Sequence, residues 1–185
     1  MIPNEHLTIC IDNLPNAFDE QGMVNAEAIH HALETIQGIP VNELKITDLF
    51  FSADSCTGVY LFYDKDLCYM HSIFDKSFNT DKPNGDVAYV GKTSGRSLTE
   101  RIPSHFAPRQ KEDYLNTIVK RIAELNKGKL KDSFAVSSNF ILKIILFTVH
   151  DNAEEVKERI YMVEDALIDY YKPYLNKIRG LRTKL

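Results

Sequence analysis

Three short runs rich in β-branched, aromatic and aliphatic residues, 58–63 (GVYLFY), 87–91 (VAYVG) and 140–150 (FILKIILFTVH), alternate with stretches whose apolar residues recur at helical spacing. This alternation is the tightest constraint on the chain. It predicts an α/β fold of the α+β kind, with a small, mostly antiparallel three-stranded sheet flanked by helices. The clearest helical stripe is Val156, Ile160, Val163, Leu167 and Tyr170, begun at Asp151 or Asn152 and stopped by Pro173. A second helix is expected over 111–126, with Leu115, Ile118, Ile122 and Leu125 on one face. Ser97-Leu98-Thr99-Glu100 has the form of a capping box. The helix it opens carries Arg101 and His105, although Pro103 must kink or end it. Residues 67–74 read as a further strand and 75–86, with Pro83, Asn84 and Gly85, as a loop.

Ahead of these runs lies a segment of different character. Residues 7–12 read as a short strand and Asn25–Gln37 as a helix, with Asn25 as its cap, Ile29, Leu33 and Ile36 as its stripe, and Gly38-Ile39-Pro40 as its stop. A second short helix is expected over 41–51. His30 and His31 read as ordinary helix histidines. Residues 1–56 hold nine acids and one base, a net charge of −8, whereas 57–185 hold 17 acids and 21 bases, a net of +4. From Lys172 onward there are five bases and no acid, a tail suited to phosphates. The expected organisation is an acidic N-terminal extension (1–56), one domain (57–178) and a basic tail (179–185).

Hydrophobic residues make up 44% and charged residues 26% of the 185, enough for a folded core. No apolar run is long enough to span a bilayer, and no basic-then-apolar leader follows Met1, so the expected location is cytoplasmic and no membrane partner is expected. Cys10, Cys56 and Cys68 form no C-x-x-C pair and offer neither a zinc site nor a disulfide framework.

Chemistry concentrates in three pieces. Gly58-Val59-Tyr60 lies on one strand. Tyr89-Val90-Gly91-Lys92 lies on the next and is followed by Arg101 and His105. Glu164 lies on the last helix, ahead of Leu167-Ile168, Tyr171-Lys172-Pro173 and Asn176. In this order and spacing, over about residues 57–178, the chain resembles the GIY-YIG nuclease superfamily, in particular the N-terminal nuclease domain of the excinuclease C repair proteins. The resemblance implies hydrolysis of DNA phosphodiesters by a one-metal mechanism, with Mg²⁺ or Mn²⁺. It implies that Glu164 is the metal ligand and that Arg101 holds the scissile phosphate through its planar fork. Of Tyr60 and Tyr89, one acts as general base and the other hydrogen-bonds the phosphate, with Tyr60 preferred as the base.

A phenol serves as a base near neutrality only where cations depress its ordinary value of about 10, and Arg101 and Lys92 are the candidates. His105, one helical turn beyond Arg101, is expected to face the same way and to contact phosphate. Asn176 either binds substrate or pins the wall of the site, and Gly91 lets backbone approach other backbone or DNA. The chain departs from the family in its long gap between Tyr60 and Tyr89, in Pro103, and in the acidic front. The rival readings are a non-catalytic nucleic-acid-binding module on the same fold, and an acidic front that docks a protein partner.

Overall fold

A computed structural model of the chain describes residues 4–49, 57–65, 86–93, 97–106, 118, 137–148 and 153–176. They form an α+β arrangement around a mixed five-stranded sheet. Its strands are β1 (Thr8–Cys10), β2 (Ile39–Pro40), β3 (Thr57–Asp64), β4 (Val87–Lys92) and β5 (Phe140–Phe147). The helices are α1 (Ala26–Glu34), the single-turn α2 (Leu98–Arg101) and α3 (Ala153–Tyr171). The strands expected over 58–63, 87–91 and 140–150 are β3, β4 and β5, in the antiparallel order β5-β3-β4.

The sheet has two strands more than expected, and both come from the acidic front. β1 pairs parallel with β5, Thr8 opposite Ile144 and Cys10 opposite Leu146. β2 pairs antiparallel with the same edge, Ile39 opposite Leu142 and Pro40 opposite Ile141. End to end they cover the β5 edge from Ile141 to Leu146, which would otherwise offer a row of unpaired backbone groups flanked by apolar side chains.

The segment between β1 and β2 folds onto the sheet. Asn25 caps α1 by accepting from the Ala28 amide at 3.1 Å. Ile29 and Leu33 are buried against the α3 side of the sheet. The chain returns through Gly38, whose φ of +75° favours glycine, and a Cβ there would press on the Leu142 carbonyl oxygen at 2.7 Å. Lys143 of β5 ties down the helix end: its Nζ donates to the Leu33 carbonyl at 3.0 Å, beside Glu34 at 3.7 Å. Asp12 accepts from the Thr148 amide and pairs with Arg159 of α3, each at 3.0 Å. The acidic front is therefore part of the same core. The short helix expected over 41–51 is replaced, in its described part, by two 3-10 turns, Val41–Glu43 and Ile46–Leu49.

Both faces of the sheet are covered. Val59, Leu61, Val90, Ile145 and Phe147 meet α1 and the α3 stripe of Val156, Ile160, Val163 and Leu167. At the end of that stripe Tyr171 is buried and Tyr170 is half-buried. The opposite face carries Tyr60, Phe62 and Tyr89 under Leu98, Ile102 and Phe106. No helix among the described residues is long and apolar enough to cross a membrane. The strand expected over 67–74 and the basic tail lie outside the described residues, as does the helix over 111–126 except for Ile118, which is buried.

Candidate active site

One irregularity decides which side chains share a face. Pairing between β3 and β4 runs Val59–Lys92, Tyr60–Gly91, Leu61–Val90 and Phe62–Tyr89, then shifts so that Tyr63 faces Val87. Ala88 is the extra residue of a β-bulge. On the near side of it, alternation puts Tyr89 on the same face as Tyr60, with ring centroids 6.2 Å apart. Gly91 lies directly across from Tyr60, and a Cβ there would sit 2.6 Å from the Tyr60 hydroxyl and 2.7 Å from a Tyr89 ring carbon. Gly91 thus makes room for the two phenols, a role different from the expected approach to backbone or DNA.

The same alternation sends Lys92 to the other face. There it forms an ion pair with Glu164 of α3, both side chains largely buried, and its Nζ lies 4.0 Å from the centre of the Tyr161 ring. Lys92 is thus turned away from the phenols it was expected to bias. Glu164 still sits close enough for its charge to disfavour ionisation of Tyr60 and Tyr89. The site wraps around the β4 side of the sheet, with phenols on one face and carboxylate on the other.

Arg101 ends α2, and its guanidinium interacts with both phenols. Burial opposes its charge, but the two phenols outweigh that and hold it more firmly ionised than usual. For the tyrosines the balance goes the other way. Tyr60 is fully buried, and burial drives its phenol well above the ordinary range, although Arg101 pulls it down. Burial raises Tyr89 as well, again against Arg101. The expected depression of a phenol by nearby cations is therefore not met in the resting chain: desolvation wins, and Lys92 is engaged elsewhere.

His105 also departs from expectation. The capping box does not close: the Ser97 hydroxyl meets the Thr99 hydroxyl at 2.6 Å and makes no cap bond to the helix. α2 stops after one turn, and Pro103 opens a 3-10 turn over Pro103–His105. That turn carries His105 inward, on the same side of the site as Arg101, and both reach Tyr60. It is wholly buried, with Nε2 2.7 Å from the Tyr60 hydroxyl and its ring edge-on to Tyr89 at 5.1 Å between centroids. Burial, then the charge of Arg101, lower its pKa from 6.5 to about 3.

Asn176 pins the wall. Its Oδ1 accepts from the Val90 amide at 2.8 Å and its Nδ2 donates to the Val90 carbonyl at 2.7 Å. With the Leu175 amide donating to the Ala88 carbonyl at 2.9 Å, the turn that follows α3 is fastened to β4.

Tyr161 is a residue that motif reading missed. It is 41% exposed, one turn before Glu164 on the same helix face, and beside Lys92. Its spacing to Glu164 is the one signal that could have marked it. Among the described residues no three His, Cys, Asp or Glu side chains gather to hold a metal. No family model, no curated protein and no solved structure matches the chain.

Proposed function

We propose that the chain is a metal-dependent DNA endonuclease of the GIY-YIG type. The observation that carries this reading is the gathering of Tyr60, Tyr89 and Arg101 on one sheet face with Glu164 in electrostatic reach, from four separate elements. Arg101 would hold the scissile phosphate with its fork, and its charge would oppose the build-up of negative charge there. Tyr60 would take a proton from the attacking water, and Tyr89 would hydrogen-bond the phosphate.

The residues also fit a divalent ion. Lys92 already places a cation on Glu164, and Mg²⁺ or Mn²⁺ can rest on one carboxylate when phosphate oxygens and water complete its shell. Bound there, the ion would supply Lewis-acid charge for the leaving 3′ oxygen. The chain's own part is to keep Glu164 at that spot and to surrender Lys92 from it.

The test is cleavage of supercoiled, linear, branched and single-stranded DNA with Mg²⁺, Mn²⁺ or chelator, by wild type and Glu164→Gln. The expected result is metal-dependent cutting that falls by orders of magnitude in the variant, with circular dichroism unchanged. Equal cutting by both would remove the metal role. The burial of both phenols favours a second reading, a nucleic-acid-binding module on the same fold. Binding of DNA with no cutting under any of these metals would select it.

A further inference from the structure

We propose that His105 is a positioning residue that donates its Nε2 hydrogen to the Tyr60 oxygen and, with Arg101, holds that oxygen ready to carry negative charge. This rests on the nuclease reading above and gives His105 a role other than phosphate contact. The first observation is geometric. Tyr60 and His105 are both wholly buried and are joined by a bond of 2.7 Å.

The second observation favours one direction for the bond, because an orphaned buried N–H is rarer than an orphaned acceptor. Nδ1 of His105 is buried and has no hydrogen-bond partner among the described residues. The ring has one hydrogen to place. On Nδ1 it would be an orphaned buried donor, which costs a desolvation penalty. On Nε2 it has the Tyr60 oxygen, and Nδ1 keeps a bare lone pair. The Tyr60 hydroxyl hydrogen is then free to turn toward the neighbouring Tyr89, whose ring lies 6.2 Å away between centroids.

In this arrangement the Tyr60 oxygen faces the His105 ring N–H, and the positive charge of Arg101 also favours its ionised form. Preorganised donors aimed at an oxygen favour its charged form far more in a dry site than in water. The other charged or titratable groups facing it are Tyr89 on β4 and Glu164 on α3, and both resist its ionisation. Once the phenolic proton has left to solvent, the Tyr60 oxygen takes a proton from water. The water oxygen bonds to phosphorus as the bond from phosphorus to the 3′ oxygen breaks, and the departing oxygen takes a proton from solvent water. His105 keeps its hydrogen throughout.

The test compares wild type, His105→Gln and His105→Phe in Mg²⁺-dependent plasmid cleavage from pH 6 to 10, with ¹⁵N NMR of the His105 ring in the metal-free chain. Glutamine presents an amide N–H near the position of Nε2, and phenylalanine presents none. The phenylalanine variant should need a pH about one to two units higher to reach its plateau, the scale of one hydrogen bond to a charged group. At pH 7.5 its kcat should fall roughly ten- to hundredfold with little change in KM, and most of the rate should return at high pH. Glutamine should restore the wild-type profile, and NMR should find the hydrogen on Nε2. A hydrogen on Nδ1, an unshifted profile in the phenylalanine variant, or a loss confined to KM in both variants would overturn the role. A wild type that cuts no DNA with Mg²⁺ or Mn²⁺ would overturn the nuclease reading and this role with it, whereas NMR reports on the Tyr60–His105 bond in either case.

Discussion

Acid should weaken this fold through one identifiable group. His105 is wholly buried, and burial together with Arg101 moves its ring from an ordinary 6.5 to about 3. In the unfolded chain the ring takes up a proton as the pH falls through about 6.5, while in the folded chain it stays neutral until about 3. The folded value is the lower one, so between these limits the unfolded state binds more protons. The stability linked to His105 is therefore complete above about 6.5 and is lost as the pH falls. At about 1.4 kcal/mol per unit, going from pH 7 to pH 5 should remove about 2 kcal/mol through this ring.

The assay is urea unfolding at both pH values for wild type and for His105→Gln, which removes the titration and keeps a polar group beside Tyr60. Five other histidines and the carboxylates titrate in both proteins and cancel in the comparison. The difference between the two pH dependences should be about 2 kcal/mol, wild type losing more. Equal losses would mean that the ring is protonated in the folded state near neutrality, and the buried neutral imidazole would have to be abandoned.

Arg101→Lys should lower cleavage roughly a hundredfold, because an ammonium cannot make the forked contact, and near-wild-type turnover would reduce Arg101 to a general attraction for DNA. Gly91→Ala should destabilise by about 1–3 kcal/mol, since the new methyl meets two packed rings, and an unchanged urea midpoint would contradict that packing. Deleting residues 1–49 removes β1, α1 and β2 together and bares the outer edge of β5. The fragment should aggregate or lose cooperative unfolding. A soluble monomer with a sharp transition and tighter, salt-sensitive DNA binding would show instead that the acidic front restrains binding.

β3, β4, β5 and α3 were legible because each carries its own periodicity, and Asn25 because a cap is a local signal. The partner of β1 was not legible. Parallel pairing of Thr8 with Ile144 leaves no mark in either segment, and the two residues of β2 are too few for a pattern. At the site, the face of Lys92 follows from strand alternation once Gly91 is placed under Tyr60, and the ion pair with Glu164 follows from that. Pro103 marks the end of the helix in the sequence, but the burial of His105 against Tyr60 depends on the tighter turn that follows, which the sequence does not specify. The buried state of the phenols was hidden for another reason: desolvation depends on the helices that cover a strand, which strand composition does not report.

The parallel contact between β1 and β5 bears on how the molecule is made. Thr8 waits for Ile144, 136 residues later, and β5 also serves β2 and β3. A ribosome adding about 5–20 residues per second needs roughly 7–27 s to close that interval. Until then the front strand and α1 have no sheet to join. β5 is the last of the five described strands in chain order, so β3 and β4 can pair before it, but the half of the sheet that holds β1 and β2 closes only once it is made. Such long-range closure is slow in folding. The excess of acid over base in residues 1–56 gives every copy of that early segment the same sign of charge, and like charges repel.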